Sequence, residues 1–172
     1  EHGAKVKDRH FSEANHKDLV DFCRSTGLRR AELEALRGDK LIEKDGKWFI
    51  KVDSGSKGGR YREAPVTGQI EHVKSLMERA GTGKVFPKVP HAADIHSYRA
   101  DYAKAIYKEH ARGISEIPYD KINKGSGRLF QSQVYHCKGD QKGMKFDKVA
   151  MDIASQALGH NRISVVGEHY LY

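Results

Sequence analysis

The sequence predicts an α+β fold that is mainly α: a helical core, a small three-stranded antiparallel sheet between helices, and an inserted β-hairpin. Three observations carry this. Apolar residues recur at helical spacing in segments near 12–26, 30–36, 68–80 and 147–158. Strand formers crowd Leu41-Ile42-Glu43 and Lys47-Trp48-Phe49-Ile50-Lys51-Val52, with Asp45-Gly46 between them as a turn. Within the stretch 113–146, Gly-rich turns flank loosely alternating residues.

Taken in order, residues 1–11 are a charged lead-in. Ser12 is expected to cap a helix that buries Leu19, Val20, Phe22 and Cys23 and ends at Thr26-Gly27, with Gly27 left-handed. A short helix over about Arg30 to Leu36 turns Ala31, Leu33 and Leu36 inward. The two strands follow, then a turn over Ser54-Gly55-Ser56-Lys57-Gly58-Gly59, and Arg60 to Val66 returns as a third strand. Gly68 to Ala80 reads as a helix with Ile70, Val73, Leu76 and Met77 inward. Two prolines keep 85–90 extended, and Asp94 starts the next helix. Within the insertion, Leu129 to Cys137 forms a strand and Met144-Lys145-Phe146 pairs back onto it. Asp147 caps a last helix with Val149, Ala150, Ile153, Ala154 and Leu158 on its core face, and Gly159 ends it.

At 172 residues the chain is long enough to bury a real core, and it is expected to form a single domain carrying the insertion. Lysine and arginine number 31 against 23 acidic residues, a net charge of +8. That balance points to a polyanionic partner, with nucleic acid first. Cys23 and Cys137 stand in unrelated contexts without a CxxC, so no disulfide framework is expected and a reducing cytoplasm fits. No apolar run is long enough to span a bilayer, so no membrane partner is expected, and the N-terminus lacks a signal-peptide core. Ten histidines invite a search for a metal site, but neither HExxH nor zinc-type Cys/His spacing occurs, and no metal or other cofactor is expected.

Chemistry-bearing residues fall in one order along the chain. Thr26-Gly27-Leu28-Arg29 opens the second helix, with Glu32 one turn on. A planar guanidinium at that position can fork two phosphate oxygens, and Glu32 can hold the fork in place. Lys57 lies in the turn before Arg60-Tyr61-Arg62-Glu63-Ala64-Pro65-Val66. His96 and Arg99 are spaced i, i+3, so both side chains share one side of a helix. Leu158-Gly159-His160 closes the last helix, and Tyr170 follows ten residues after the histidine.

This set resembles the tyrosine recombinases, the lambda-integrase-like integrases of phages and conjugative transposons. The segment from Thr26 to Leu36 is similar to the family's TGLR-x-x-E-L-x-x-L box. The hairpin ending in Arg62-Glu63-Ala64-Pro65-Val66 resembles the lysine hairpin closed by R-x-x-P-[LVI], and His96-x-x-Arg99 matches H-x-x-R. The segment Tyr135-His136-Cys137-Lys138-Gly139-Asp140-Gln141-Lys142-Gly143 is similar to one found in integrases of mobile elements in Gram-positive bacteria. Two departures stand out: Ala100-Asp101 replaces the His and small polar residue that commonly follow the Arg, and 61 positions separate Arg99 from His160.

The resemblance implies a catalytic domain in which Tyr170 attacks a DNA phosphodiester. Arg29 and Arg99 would contact the scissile phosphate, with His96 and His160 assisting, Lys57 as general acid and Glu32 in support. Lys51, Arg60 and Arg62 are nearby basic alternatives to Lys57, and Tyr172 is the rival nucleophile. Arg30, Lys51, Arg60, Arg62 and Arg162 are expected to add DNA contacts. The implied partners are double-stranded attachment sites, a tetramer of the full-length protein on DNA, and an accessory directionality factor. A chain beginning at Glu1 and stopping two residues after Tyr170 is expected to be part of a longer protein with an N-terminal DNA-binding domain. Three alternatives stand beside this: a type IB topoisomerase-like relaxing enzyme, a DNA-binding relative with an inactive site, and an RNA-binding module, although no RNP-like aromatic strand occurs.

Overall fold

The computed structural model describes residues 12–53, 60–117, 133–137 and 142–160. The chain divides into two compact units, Glu1–Tyr102 and Ala103–Tyr172, and the division falls within one helix. Among the described residues the fold is α+β, with five α-helices, a three-stranded antiparallel sheet and a two-stranded one.

In the first unit, α1 (Lys17–Thr26) buries Leu19, Val20, Phe22 and Cys23, as its spacing predicts. The helix begins later than expected. Ser12 accepts a hydrogen bond from the Asn15 amide at 3.1 Å, but it caps a turn over 13–16 rather than the helix itself. Gly27, at φ +64°, ends α1 by donating its amide to Cys23 O. The short α2 (Arg30–Ala35) buries Glu32 and Leu33, while Ala31, expected inward, faces solvent.

Strands β1 (Leu41–Lys44) and β2 (Lys47–Val52) pair antiparallel about Asp45-Gly46. Both turn residues have positive φ, +52° and +77°, which suits the right-handed twist of a two-residue hairpin. Strand β3 (Arg62–Pro65) adds to β2, with Ala64 opposite Ile50 and Arg62 opposite Val52. Ile50, Val52 and Ala64 are buried, so this face of the sheet belongs to the core. Helix α3 (Ile70–Ala80) starts two residues later than expected and packs Val73, Leu76 and Met77 inward. Phe22 meets Phe86 edge-on, with centroids 5.0 Å apart. Each fully buried aromatic of this kind contributes about 1.5–3 kcal/mol by desolvation.

Helix α4 (Ile95–His110) follows the extended 85–90 segment, and Asp94 Oδ1 accepts the Ser97 amide at its start. In the second unit, β4 (Val134–His136) pairs antiparallel with β5 (Lys145–Asp147). This is the expected hairpin, seen over a shorter span. Asp147 then caps α5 (Lys148–Leu158), accepting from the Val149 and Ala150 amides, and Gly159 ends the helix at φ +82°. Val149, expected on the core face, is 49% exposed; Met151 and Ala157 are buried instead. Ala150, Ala154 and Leu158 are buried as expected. The N1–N2 position of Val149, beside its cap, turns it away from the stripe that starts at Ala150.

Candidate functional site: two guanidiniums on one buried carboxylate

Three backbone features bring Arg29 to its place. Gly27 turns the chain out of α1, Leu28 is fully buried, and Arg29 stands in extended conformation as the N-cap of α2. Glu32, one turn on, accepts the Arg29 amide on Oε1 at 2.8 Å. This is half of a capping box, and it fixes the first turn of the helix. The Arg29 side chain stays near the same carboxylate, with Nη1 3.5 Å from Oε2, and remains 21% exposed.

Gly27 is required twice. Its φ lies where side chains are strained, and an added Cβ would come within 2.2 Å of the Tyr102 ring. Tyr102 is itself tied by its hydroxyl to Pro65 O at 2.6 Å. Between these contacts lies Arg99, which is buried and donates Nε to Gly27 O at 2.9 Å. Two arginines 70 positions apart thus reach the same short segment of chain, Arg29 as part of it and Arg99 through Gly27 O.

Glu32 has a second cationic partner. Arg62 Nη2 donates to Oε1 at 2.8 Å, and the two side chains are 11% and 0% exposed. Arg62 Nε and Nη1 are buried with no hydrogen-bond partner among the described residues. Burial pushes the Arg62 guanidinium below its ordinary value, Glu32 opposes that, and neighbouring Arg29 adds to it. Arginine stays ionised through shifts of this kind. Among the described residues, Arg29 and Arg62 thus set two positive charges beside the one negative charge of Glu32. Glu32 also lines a cleft of about 330 Å³ with Arg37, Lys40, Lys51 and Asp53.

The other expected site residues differ in their placement. His96 lies on α4 one turn before Arg99 and is exposed, whereas Arg99 is buried. His160 is half-buried just past the end of α5, its amide bonded to Ser155 O at 2.9 Å. Arg60 is exposed and Lys51 half-buried on β2. Lys57, Arg162, Tyr170 and the rival Tyr172 lie outside the described residues.

Arg30 and Arg62, expected to add DNA contacts, both have partners within the protein. Arg30 donates to Val89 O, Pro90 O and Ala93 O at 3.3, 2.8 and 2.8 Å, clamping the segment before α4. Arg62 turns toward Glu32 because it shares a strand face with buried Ala64. Strand alternation carries that signal in the sequence, since residues i and i+2 share a face. Among the described residues, no three of His, Cys, Asp and Glu are grouped so as to hold a metal ion. No helix among them is long and apolar enough to cross a membrane. No protein-family model matches the chain, and neither a curated protein nor a solved structure shows significant similarity to it.

Proposed function

We propose that the chain is the catalytic domain of a tyrosine-type site-specific DNA recombinase. The Tyr170 hydroxyl gives its proton to a neutral site histidine as its oxygen attacks the phosphorus of a DNA phosphodiester, and the P–O5′ bond breaks. A 3′-phosphotyrosyl link forms, so the energy of the phosphodiester is kept for rejoining. Lys57 gives a proton to the departing 5′ oxygen. Arg29 and Arg99 neutralise the added charge on the pentacoordinate phosphorus, while His96 and His160 donate hydrogen bonds to its oxygens. A 5′ hydroxyl from a second duplex then attacks the phosphotyrosine and exchanges the strands. The guanidiniums supply the electrostatic role that a metal ion fills in other phosphoryl-transfer sites. The proposed partners are double-stranded attachment sites, with the full-length protein acting as a tetramer on DNA and a directionality factor setting its course. In a bacterial cell this work belongs in the cytoplasm, on the nucleoid.

The supporting observation is the convergence at Gly27–Arg29. Arg99 bonds Gly27 O, Arg29 caps α2, and Glu32 holds Arg29 from a fully buried position. Excess positive charge, with one guanidinium left able to reach an incoming phosphate, suits a phosphoryl-transfer transition state.

The test is covalent trapping. The protein is mixed with labelled duplexes nicked near varied cleavage positions, so that the short product strand diffuses away. The expected result is a label that stays with the protein on a denaturing gel without added metal, lost in Tyr170→Phe and kept in Tyr172→Phe. Loss only in Tyr172→Phe would move the nucleophile by two residues. DNA binding without an adduct on any duplex would contradict the proposed chemistry and favour a DNA-binding relative with an inactive site.

A further inference from the structure

We infer that Arg62 is a positioning residue: it takes up the charge of Glu32 so that the charge of Arg29 is left for a substrate phosphate. The inference rests on the recombinase reading for the identity of that phosphate, and on the cluster alone for everything else.

The distances show how the carboxylate is shared. Glu32 Oε1 receives Arg62 Nη2 and the Arg29 amide, both at 2.8 Å, whereas the Arg29 guanidinium stands 3.5 Å from Oε2. The shorter, hydrogen-bonded ionic contact is the stronger one. Arg62 is thus the main counter-charge, and Arg29 is the loosely held cation. Arg29 is also the more exposed of the two, at 21% against 11%.

Charge balance points the same way. With Arg62 present, these three residues carry +2 against −1. Without it, Arg29 and Glu32 would form a neutral pair one turn apart, and an incoming phosphate would compete with a carboxylate already in place. Two buried donors of Arg62 have no partner among the described residues, a costly state in a folded protein. Such a cost is understandable where the purpose of the group is its charge. The geometry of β3 enforces the arrangement, because Arg62 stands opposite buried Val52 and two residues from buried Ala64.

The test is a charge cycle on the full 172-residue chain, probed with inorganic sulfate and, separately, with adduct formation on nicked duplexes. Sulfate binding is followed through the NMR signal of the Arg29 Nε–H. Arg62→Met is expected to weaken sulfate binding at Arg29 at least tenfold and to slow adduct formation by at least as much. Adding Glu32→Gln to Arg62→Met returns the cluster to +1 and is expected to restore both to within about threefold of wild type. A residue needed only for folding would not be rescued by deleting its partner's charge.

Sulfate affinity in folded Arg62→Met equal to wild type would overturn the inference, as would a double variant no better than the single one. If Arg62→Met does not fold, Arg62→Lys carries the test: it keeps the charge and loses the fork. Retained sulfate affinity in Arg62→Lys supports charge sharing, and a tenfold loss overturns it. The two proposals fail separately. Wild type that forms no adduct but shows the full sulfate cycle removes the recombinase reading alone. Normal adduct formation by Arg62→Met removes the role of Arg62 alone.

Discussion

Among the described residues, two buried carboxylates are bound by arginine, and they are bound to opposite effect. Asp147 is fully buried and saturated. Arg112 reaches it with Nε and Nη2 at 2.9 and 3.0 Å and with its backbone amide at 2.9 Å, and the Val149 amide adds a bond at 3.0 Å. One positive charge meets one negative, and the remaining Arg112 donor contact goes to Gln133 Oε1. Glu32 is as deeply buried but faces two guanidiniums, one of which keeps two buried donors without a partner among the described residues. A closed network of the first kind joins a strand, a loop and a helix cap, and its product is rigidity. An open one of the second kind leaves net charge and unmet donors, and structure alone does not require either. The comparison teaches that burial of an ion pair says little until the charges are counted and the donors are matched.

Replacing the anion separates the two sites most strongly. Glu32→Ala leaves two guanidiniums without compensation and removes the capping contact to Arg29, so it should cost about 3–5 kcal/mol in chemical denaturation. Gly27→Ala comes next. It combines a left-handed φ with a Cβ inside contact distance of Tyr102, and about 2–3 kcal/mol should be lost, with displacement of the Arg29 and Arg99 guanidiniums. Adduct formation should fall along with stability in that variant, because Gly27 O is the acceptor for Arg99.

The Asp147 site should respond to pH. Hydrogen bonds from the Arg112 side chain, offset by burial and aided by backbone amides, hold the Asp147 carboxyl at about 2, below its ordinary value of 3.8. A depressed carboxyl stabilises the fold above its unfolded value and loses that stabilisation as pH falls through its folded value. The contribution should thus be complete above about pH 4 and fade toward pH 2, and Asp147→Asn should flatten that part of a stability–pH curve. At neutral pH the same variant should cost about 1–2 kcal/mol, the size of a lost charge-assisted hydrogen bond. It should leave sulfate binding at Arg29 unchanged. A clear effect on sulfate would erase the contrast drawn between the two sites.

Much of this architecture is legible in the sequence. Helical spacing gives the buried faces of α1 and α3, and Asp45-Gly46 gives the β1–β2 turn. Asp147 and Gly159 mark the two ends of α5. The errors fall at element edges, where one residue of drift reverses a side chain, as at Ala31 and Val149. Of the site, the contact of Glu32 with Arg29 is local and follows from its place one turn into α2, and Arg99 reaches Gly27 O from the first turn of α4. The inward turn of Arg62 and the clamp made by Arg30 depend on tertiary partners 30 or more positions away, which spacing within one element does not reveal. The strand face of Ala64 is the local clue to Arg62, and the eye passes over it because arginine on a hairpin reads as a solvent-facing charge.

The most direct test of the central claim, that Arg29 serves to neutralise charge on a scissile phosphate, is to remove that charge from the substrate. Nicked duplexes carrying a neutral methylphosphonate at the cleavage position should be compared with normal phosphodiesters in the trapping assay. Arg29→Ala is predicted to form no adduct on the phosphodiester and to recover adduct formation on the methylphosphonate. An Arg29→Ala protein that folds normally yet treats both substrates alike, active on each or inactive on each, would contradict it.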